Sequence, residues 1–316
     1  MNSSTPREVR LSGISLDASS AASTSTTDLT KGSIFFIGNA TVLIRWAGFT
    51  FLTDPTFIHM HEKVHLGPGL YPERLTDPAI EIRELPPLYF ILLSHFHGDH
   101  FDEEAILVFD KSSIPIVTNE HAIEELRARG FTTFEKLEKW ESISFVKENA
   151  RLKITGTPGR HGPLPVSMFM PQVMGSILDF QNDAATDDYD HRRHLFRMYI
   201  TGDTMVFDDI NDIPKRYPDV DVALLHLGGT TVMGIVVTMD AKEGMEMFRI
   251  INPRKVIPIH YNDYDVFKSP LEEFQAAVKG AGLEDKVHYI RHGETYNFQL
   301  QTLKDKSSRP HDVEAT

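Results

Sequence analysis

The 316-residue sequence contains no cysteine, which excludes disulfides, thiolate metal sites and cysteine nucleophiles. Any metal ion would have to be held by His, Asp or Glu. The chain also lacks an uninterrupted apolar run near the roughly 18–20 residues needed to cross a bilayer, and the opening MNSSTPREVR has no apolar block of the signal-peptide kind. These absences predict a soluble, cytoplasmic chain with no stable membrane insertion. No GxSxG motif occurs, so a serine nucleophile elbow is not expected. Positive charge is scarce: the formal net charge is −13, and two divalent ions would still leave it at −9. Nonspecific nucleic-acid binding relies on Lys and Arg displacing counterions, so nucleic acid is not an expected partner. A small-molecule substrate is.

The hydrophobic content, 41 %, is ordinary for a chain with a packed core. Residues 1–31, with SSAASTSTT near their centre, hold few large apolar residues and read as a disordered leader, and 304–316 read as a flexible tail. One folded unit is expected over 32–303. Within it, SIFFIG, TVLIRW and FTFLTD are short β-rich runs separated by Gly38-Asn39 and Ala47-Gly48, the pattern of an antiparallel meander. After a long loop from Pro55 to Pro87, LYFILLS reads as a buried strand. Helix-like DEEAILVFD, strand-like IPIVT and helix-like NEHAIEELRARG follow. The runs SISFV, LKITGTPG, MGSILDF, FRMYITGD and KVIPIH make a second β-rich half, with a helix near LEEFQAAVKG. Two packed sheets covered by helices are the expected α/β architecture.

Directly after the buried strand, Ser94-His95-Phe96-His97-Gly98-Asp99-His100 places four metal-ligating side chains within six residues. His95 and His97 can point one way from an extended turn while Asp99 and His100 point another, so one segment can serve two adjacent ions. Further ligands are expected at later strand ends, where His161, Asp203 and His260 stand beside Gly or Pro. Asp54, in LTDP, reads either as a carboxylate orienting a ligating imidazole or as a plain turn before Pro55. His226, ending LLH, reads either as a pocket acid or oxyanion donor, or as a loop histidine. His59, His61 and His65 follow no strand and show no carboxylate partners in sequence, so a mobile surface or lid segment is expected ahead of a third metal site. The Met-rich Val166–Met174 reads as a core strand or as an adaptable apolar wall of a binding site.

Taken in order, IGNATVLIRW, LTDP, ELPPLYFILLSHFHGDHFD and IPIH resemble the metallo-β-lactamase superfamily, whose His-x-His-x-Asp-His motif is matched by His95, His97, Asp99 and His100. The chain looks most like the branch of ascorbate-6-phosphate lactonase and the N-acylphosphatidylethanolamine phospholipase D. The resemblance implies an αβ/βα sandwich, one ion on His95, His97 and His161, a second on Asp99, His100 and His260, and a bridging Asp203. It also implies a binuclear hydrolase that uses a metal-bridging hydroxide, with Asp99 as a proton carrier. Zinc suits a His-rich site without thiolates, and manganese or iron suit mixed imidazole and carboxylate ligands.

The phospholipase branch usually has a His where this chain has Met239, before Asp240, and that departure favours a small lactone, lactam or related ester or amide as substrate. A phosphodiesterase and a non-catalytic metal-dependent small-molecule-binding protein are the alternatives. Between His161 and Asp203 lie 41 residues, too few for the additional domain of the nuclease branches.

Overall fold

A computed structural model describes residues 7–10, 28–67, 69–183 and 194–300. In chain order the strands and helices are β1 (Arg7–Arg10), β2 (Lys31–Gly38), β3 (Thr41–Trp46), β4 (Phe49–Thr53), β5 (Phe90–Leu92), α1 (Glu103–Val108), β6 (Ile116–Thr118), α2 (Glu120–Ala128) and β7 (Phe134–Lys136). The second half contains β8 (Ser142–Lys147), β9 (Ala150–Thr157), β10 (Gly175–Asn182), β11 (His194–Ile200), α3 (Asp212–Arg216), β12 (Val222–His226), β13 (Thr231–Val232), β14 (Ile235–Val236), α4 (Ala241–Ile251), β15 (Lys255–Ile259), α5 (Leu271–Gly280) and β16 (Thr295–Gln299).

Two seven-stranded mixed sheets form, ordered β16-β2-β3-β4-β5-β6-β7 and β1-β8-β9-β10-β11-β12-β15. The expected meander is present as antiparallel β2, β3 and β4, and β5 lies parallel to β4. Alternation along β3 explains the layering: Val42 and Ile44 point into the cluster between the sheets, whereas Leu43 points to the outer face. Between the sheets, Phe90 stacks on Phe51 with centroids 4.6 Å apart and on Phe145 at 4.4 Å, so one column of rings joins the two layers. Ile106 and Leu126 of α1 and α2 cover the outer face of the first sheet, and Met247, Phe248, Phe274 and Val278 of α4 and α5 cover the second. The predicted αβ/βα sandwich is the observed fold.

Three expectations need correction. Four residues of the predicted leader are strand β1, which extends the second sheet in parallel with β8 and packs Val9 against the intersheet core. The rest of the leader outside 28–31, and the tail from 304, fall outside the described residues. Val166–Met174 is not a core strand: Val166–Phe169 is a 3-10 turn that leaves Met168 and Phe169 exposed. Two of the long-loop histidines do have carboxylate neighbours, supplied by the fold. His59 lies 3.3 Å from both Asp77 and Glu81, and His61 lies 2.9 Å from Glu73. That loop is folded on itself by the bonds Val64 N–H to Pro72 C=O and Arg74 N–H to Glu62 C=O, and it buries Ile58, Val64 and Leu66 against Tyr264 and Val266. Among the described residues, no group able to hold a metal includes His59, His61 or His65.

Candidate metal centre

Strand direction explains why residues so distant in sequence meet. β9 and β11 are each antiparallel to β10, and β11, β12 and β15 are mutually parallel. Four strands of one sheet therefore end on the same side and deliver His161, Asp203, His226 and His260 there. In the facing sheet, parallel β4 and β5 deliver Asp54 and the 94–100 segment. Asn39 ties the two sheets together at this edge. Its amide donates to the Asp99 carbonyl at 2.5 Å, and its own carbonyl accepts the His260 N–H at 3.0 Å. Asp54 (φ 33°) and His260 (φ 59°) both take left-handed backbone conformations, a strain that turns their side chains out of the strand line.

All seven predicted ligands converge, and they do so as two groups. Ligand atoms of His95, His97 and His161 lie within 4.8 Å of one another, as do those of Asp99, His100, Asp203 and His260. Asp203 Oδ1 stands 3.3 Å from His100 Nε2 and 3.6 Å from His260 Nε2, and Asp99 Oδ2 stands 3.5 Å from His260 Nε2. Of the seven residues, all but His97 are fully buried.

The outward nitrogens of the imidazoles are already engaged. Ser94 Oγ meets His95 Nδ1 at 3.0 Å, the Val237 carbonyl accepts from His161 Nδ1 at 2.8 Å, and the Leu227 carbonyl accepts from His260 Nδ1 at 3.1 Å. Asp54 Oδ2 faces His100 Nδ1 at 3.5 Å. The carbonyls and the carboxylate require N–H at Nδ1 of His161, His260 and His100 and so leave Nε2 facing inward, which is how outer partners prepare histidines for a metal; the Ser94 hydroxyl on His95 can donate or accept. His97 instead turns Nδ1 inward, 3.2 Å from His95 Nε2.

A donor set so dense tests itself by what it leaves unsatisfied. His100 Nε2, His260 Nε2, Asp99 Oδ1 and Asp203 Oδ1 are all buried without a hydrogen-bond partner. Buried polar atoms left unpaired cost roughly 1–3 kcal/mol each, more when charged. Four at one point, all of ligand type, fit divalent cations.

Titration behaviour divides along the same line. Burial holds His95 well below its usual range and His97 down to about 3, and it lowers His161 as well, so this trio is neutral with free lone pairs. Burial opposes charge on His100 too, but Asp203 and Asp99 outweigh it and raise that imidazole well above its usual value; Asp203 likewise raises His260. Despite burial, Asp99 is lowered by His100, and Asp203 is held well below the usual carboxylate range by His260 and His100. In the metal-free chain, protons thus sit where cations would.

A stability profile follows for chelated protein. Below pH 6.5 the unfolded chain takes up protons that His95, His97, His161 and His226 refuse in the fold, so stability falls as pH drops. Above 6.5, the stability contributed by raised His100 and His260 is lost as pH rises through their folded values. The depressed carboxylates act only below about pH 4. The unfolding midpoint of metal-free protein is therefore expected to peak near pH 6–7, each histidine contributing a slope of about 1.4 kcal/mol per pH unit. A midpoint rising steadily from pH 5 to 8 would contradict this.

Asp54 sits where the orienting reading requires. Oδ1 accepts the Ser94 N–H at 2.7 Å, while Oδ2 faces His100 Nδ1 and, at 3.6 Å, His226 Nε2. His226 is not a loop residue. Fully buried as the last residue of β12, it stacks behind His100 with centroids 6.0 Å apart and has Thr201 Oγ1 3.2 Å from its Nδ1. Its Nε2 faces the Asp54 carboxylate that also faces His100, so it stands behind that ligand. Sequence reading missed Thr238, whose hydroxyl donates to Asp203 Oδ2 at 3.0 Å and leaves Oδ1 free, and also Ser94 and Asn39. Ser94 could have been flagged by its place before the motif; the other two carry no local signal. Gly98 has a visible reason: a Cβ there would come within 2.9 Å of the His65 carbonyl, so only glycine lets the long loop pack on the motif.

The model of the β-lactamase superfamily domain matches residues 50–261. A protein of Archaeoglobus fulgidus named as a metal-dependent hydrolase is 28 % identical over 209 residues, covering 66 % of this chain and 81 % of the relative. Among solved structures, the isothiocyanate hydrolase from Delia radicum gut bacteria superposes with a TM-score of 0.68 at 20 % identity, covering 84 % of this chain and 99 % of that one. CmlA, a diiron β-hydroxylase from Streptomyces venezuelae, shares the fold with a TM-score of 0.58 at 14 % identity, covering 87 % of this chain and 55 % of that one.

Proposed function

This chain belongs to the β-lactamase superfamily, and from that premise we propose that it is a binuclear metal hydrolase acting on a small lactone, lactam or related ester or amide. The coarser statement, a metal-dependent hydrolase of the metallo-β-lactamase fold, agrees with the names of its relatives. The observation that supports the finer reading is that the seven predicted ligands fall into two groups, with an unpaired Asp203 Oδ1 in the second; a third possible group, Asp54, His100 and His226, shares His100 with that second group.

In this reading His95, His97 and His161 would hold one ion, Asp99, His100 and His260 would hold the other, and Asp203 would serve both. When bound, two divalent ions supply Lewis acidity at the scissile oxygen and lower the pKa of water. The chain's own groups do the rest. Thr238 pins one oxygen of Asp203 so that the other points inward. Asp99 Oδ1, buried and unpaired, is the atom placed to take a proton. Asp54 and His226 hold His100 from behind. The neighbouring hydroxyls of Ser94, Thr201, Thr204 and Thr238 are engaged with imidazoles, backbone groups or the Asp203 carboxylate and help hold the ligands in place.

Zinc is the proposed ion, and the shared fold with a diiron β-hydroxylase makes metal identity a discriminating measurement. Elemental analysis of protein purified without added metal, followed by lactone, lactam and phosphodiester panels, tests the reading. The expected result is about two zinc ions per chain and cleavage of a lactone or lactam that chelation abolishes. Cleavage confined to phosphodiesters, or tight small-molecule binding without any cleavage by the two-metal form, would replace it.

A further inference from the structure

Solvent reaches this centre on the side of His97, the one predicted ligand that is not fully buried, and its ring lies 5.2 Å from that of His161. Two surface segments are anchored at His161. The Val237 carbonyl accepts both His161 Nδ1–H and the Gly162 N–H, each at 2.8 Å, and a Cβ on Gly162 would already touch Val237 at 3.2 Å. Segment 162–171 and the β13–β14 hairpin therefore rise from the same point beside the opening.

Both carry large apolar side chains that the fold does not use. Leu164 is 66 % exposed, Met168 74 %, Phe169 87 %, Met233 97 % and Ile235 38 %. They are five of the nine large hydrophobic residues exposed among the described residues, concentrated in about 17 positions. Scattered single exposures are ordinary; a concentration is not. The hairpin adds a second observation. Its turn places Met233 (φ 51°) and Gly234 (φ 80°) in left-handed conformations, a pair of positions that favour Asn and Gly. Methionine there meets a backbone penalty and gains no packing in return. The hairpin is not loose: Thr231 N–H bonds the Val266 carbonyl at 3.3 Å, Thr230 bridges to Phe267, and the Phe267 ring lies 4.4 Å from that of His260. It is thus a braced apolar projection rooted at both halves of the centre.

Resting on the hydrolase reading above, we propose that these two segments form an apolar entrance wall that binds an aliphatic group of the substrate, so that the substrate class is an uncharged ester, lactone or amide bearing an alkyl chain. An anionic lipid surface is a poorer occupant, because the chain carries a net charge of −13. Each methylene laid on such a wall should improve recognition by about two- to fourfold.

The test uses the metal-loaded full chain, the γ-lactone series from butyrolactone to decalactone, and the neutral dye Nile red as a binding probe that needs no catalysis. The variant is Phe169→Ser with Met233→Asn, since asparagine suits the turn, and Leu107→Ser, exposed on α1, is the control. Wild type and control are expected to show kcat/KM rising with chain length and to bind Nile red. In the double variant the rise flattens through a higher KM for the long members, and dye binding weakens by about tenfold. If no lactone is cleaved but dye binding still depends on Phe169 and Met233, the wall stands and the lactone reading falls. Lactone cleavage without chain-length dependence, together with dye binding unaltered in the variant, overturns the wall. So does variant-sensitive sedimentation with phosphatidylcholine vesicles in the absence of chain-length dependence.

Discussion

Replacing Asp203 by alanine is expected to leave the protein with less than one tightly held metal ion per chain and to reduce hydrolysis by a factor of about 100 to 1000 or more. The size follows from removing one partner of a buried charge cluster, which costs about 3–5 kcal/mol. Asp203 is fully buried, and its Oδ1 lies 3.3 and 3.6 Å from the inward nitrogens of His100 and His260, whose other inward neighbour is Asp99. Without it nothing balances positive charge between the two histidine groups except Asp99. Metal content by mass spectrometry and turnover on the same preparation check this. Two ions retained at normal turnover would falsify the bridging role. A separate signature appears in the chelated variant: His100 and His260 lose the carboxylate that raises them, so their NMR titration midpoints should fall.

Asp54→Asn is the second large effect and tests a residue that touches neither an ion nor a substrate in the proposed arrangement. The carboxylate accepts the Ser94 N–H on one oxygen and faces His100 and His226 with the other. Burial opposes its charge, but the two imidazoles outweigh that and hold it ionised. Asparagine keeps the shape and loses the charge, so His100 loses the partner that fixes its ring. Loss of such an outer partner weakens metal binding by about 10- to 100-fold. The loss should fall on the ion assigned to Asp99, His100 and His260, with the His95, His97 and His161 group little affected. Titration against a chromophoric chelator resolves the two steps, and equal weakening of both, or of neither, rejects the positioning role.

Much of the fold was legible because local pattern and local pairing coincide. The β2–β3–β4 meander is closed by short turns, and the buried run at β5 could hardly be anything else. Asp102 and Asn119 cap α1 and α2 by accepting the Ala105 and Ala122 N–H groups, both at 2.9 Å, which matches the helix starts read from sequence, while each helix ends two residues short of the segment read. Pairings between remote segments were not legible. β1 lies against β8 and β16 against β2, and neither short strand announces its partner. Val166–Met174 was misread because its apolar composition suits a core strand, whereas Val166–Phe169 is a turn that leaves Met168 and Phe169 exposed and only Val173 and Met174 are buried. Two of the long-loop histidines, His59 and His61, showed no carboxylates nearby in sequence because theirs arrive from 12 to 22 residues away through the folded loop.

Sequence alone determined the chemical inventory of the site. Without cysteine, a motif of three histidines and an aspartate after an apolar strand, followed by strand-end His161, Asp203 and His260, allows a nitrogen and oxygen metal centre and little else. Tertiary structure decided which atoms face inward and which residues stand behind them. That choice depends on strands of two sheets ending at one edge, and on carbonyls of Leu227 and Val237 that no side-chain pattern encodes. It set the His226 ring behind that of His100, with the Asp54 carboxylate facing both. A ligand type is a property of a residue, but a ligand's orientation belongs to its neighbours.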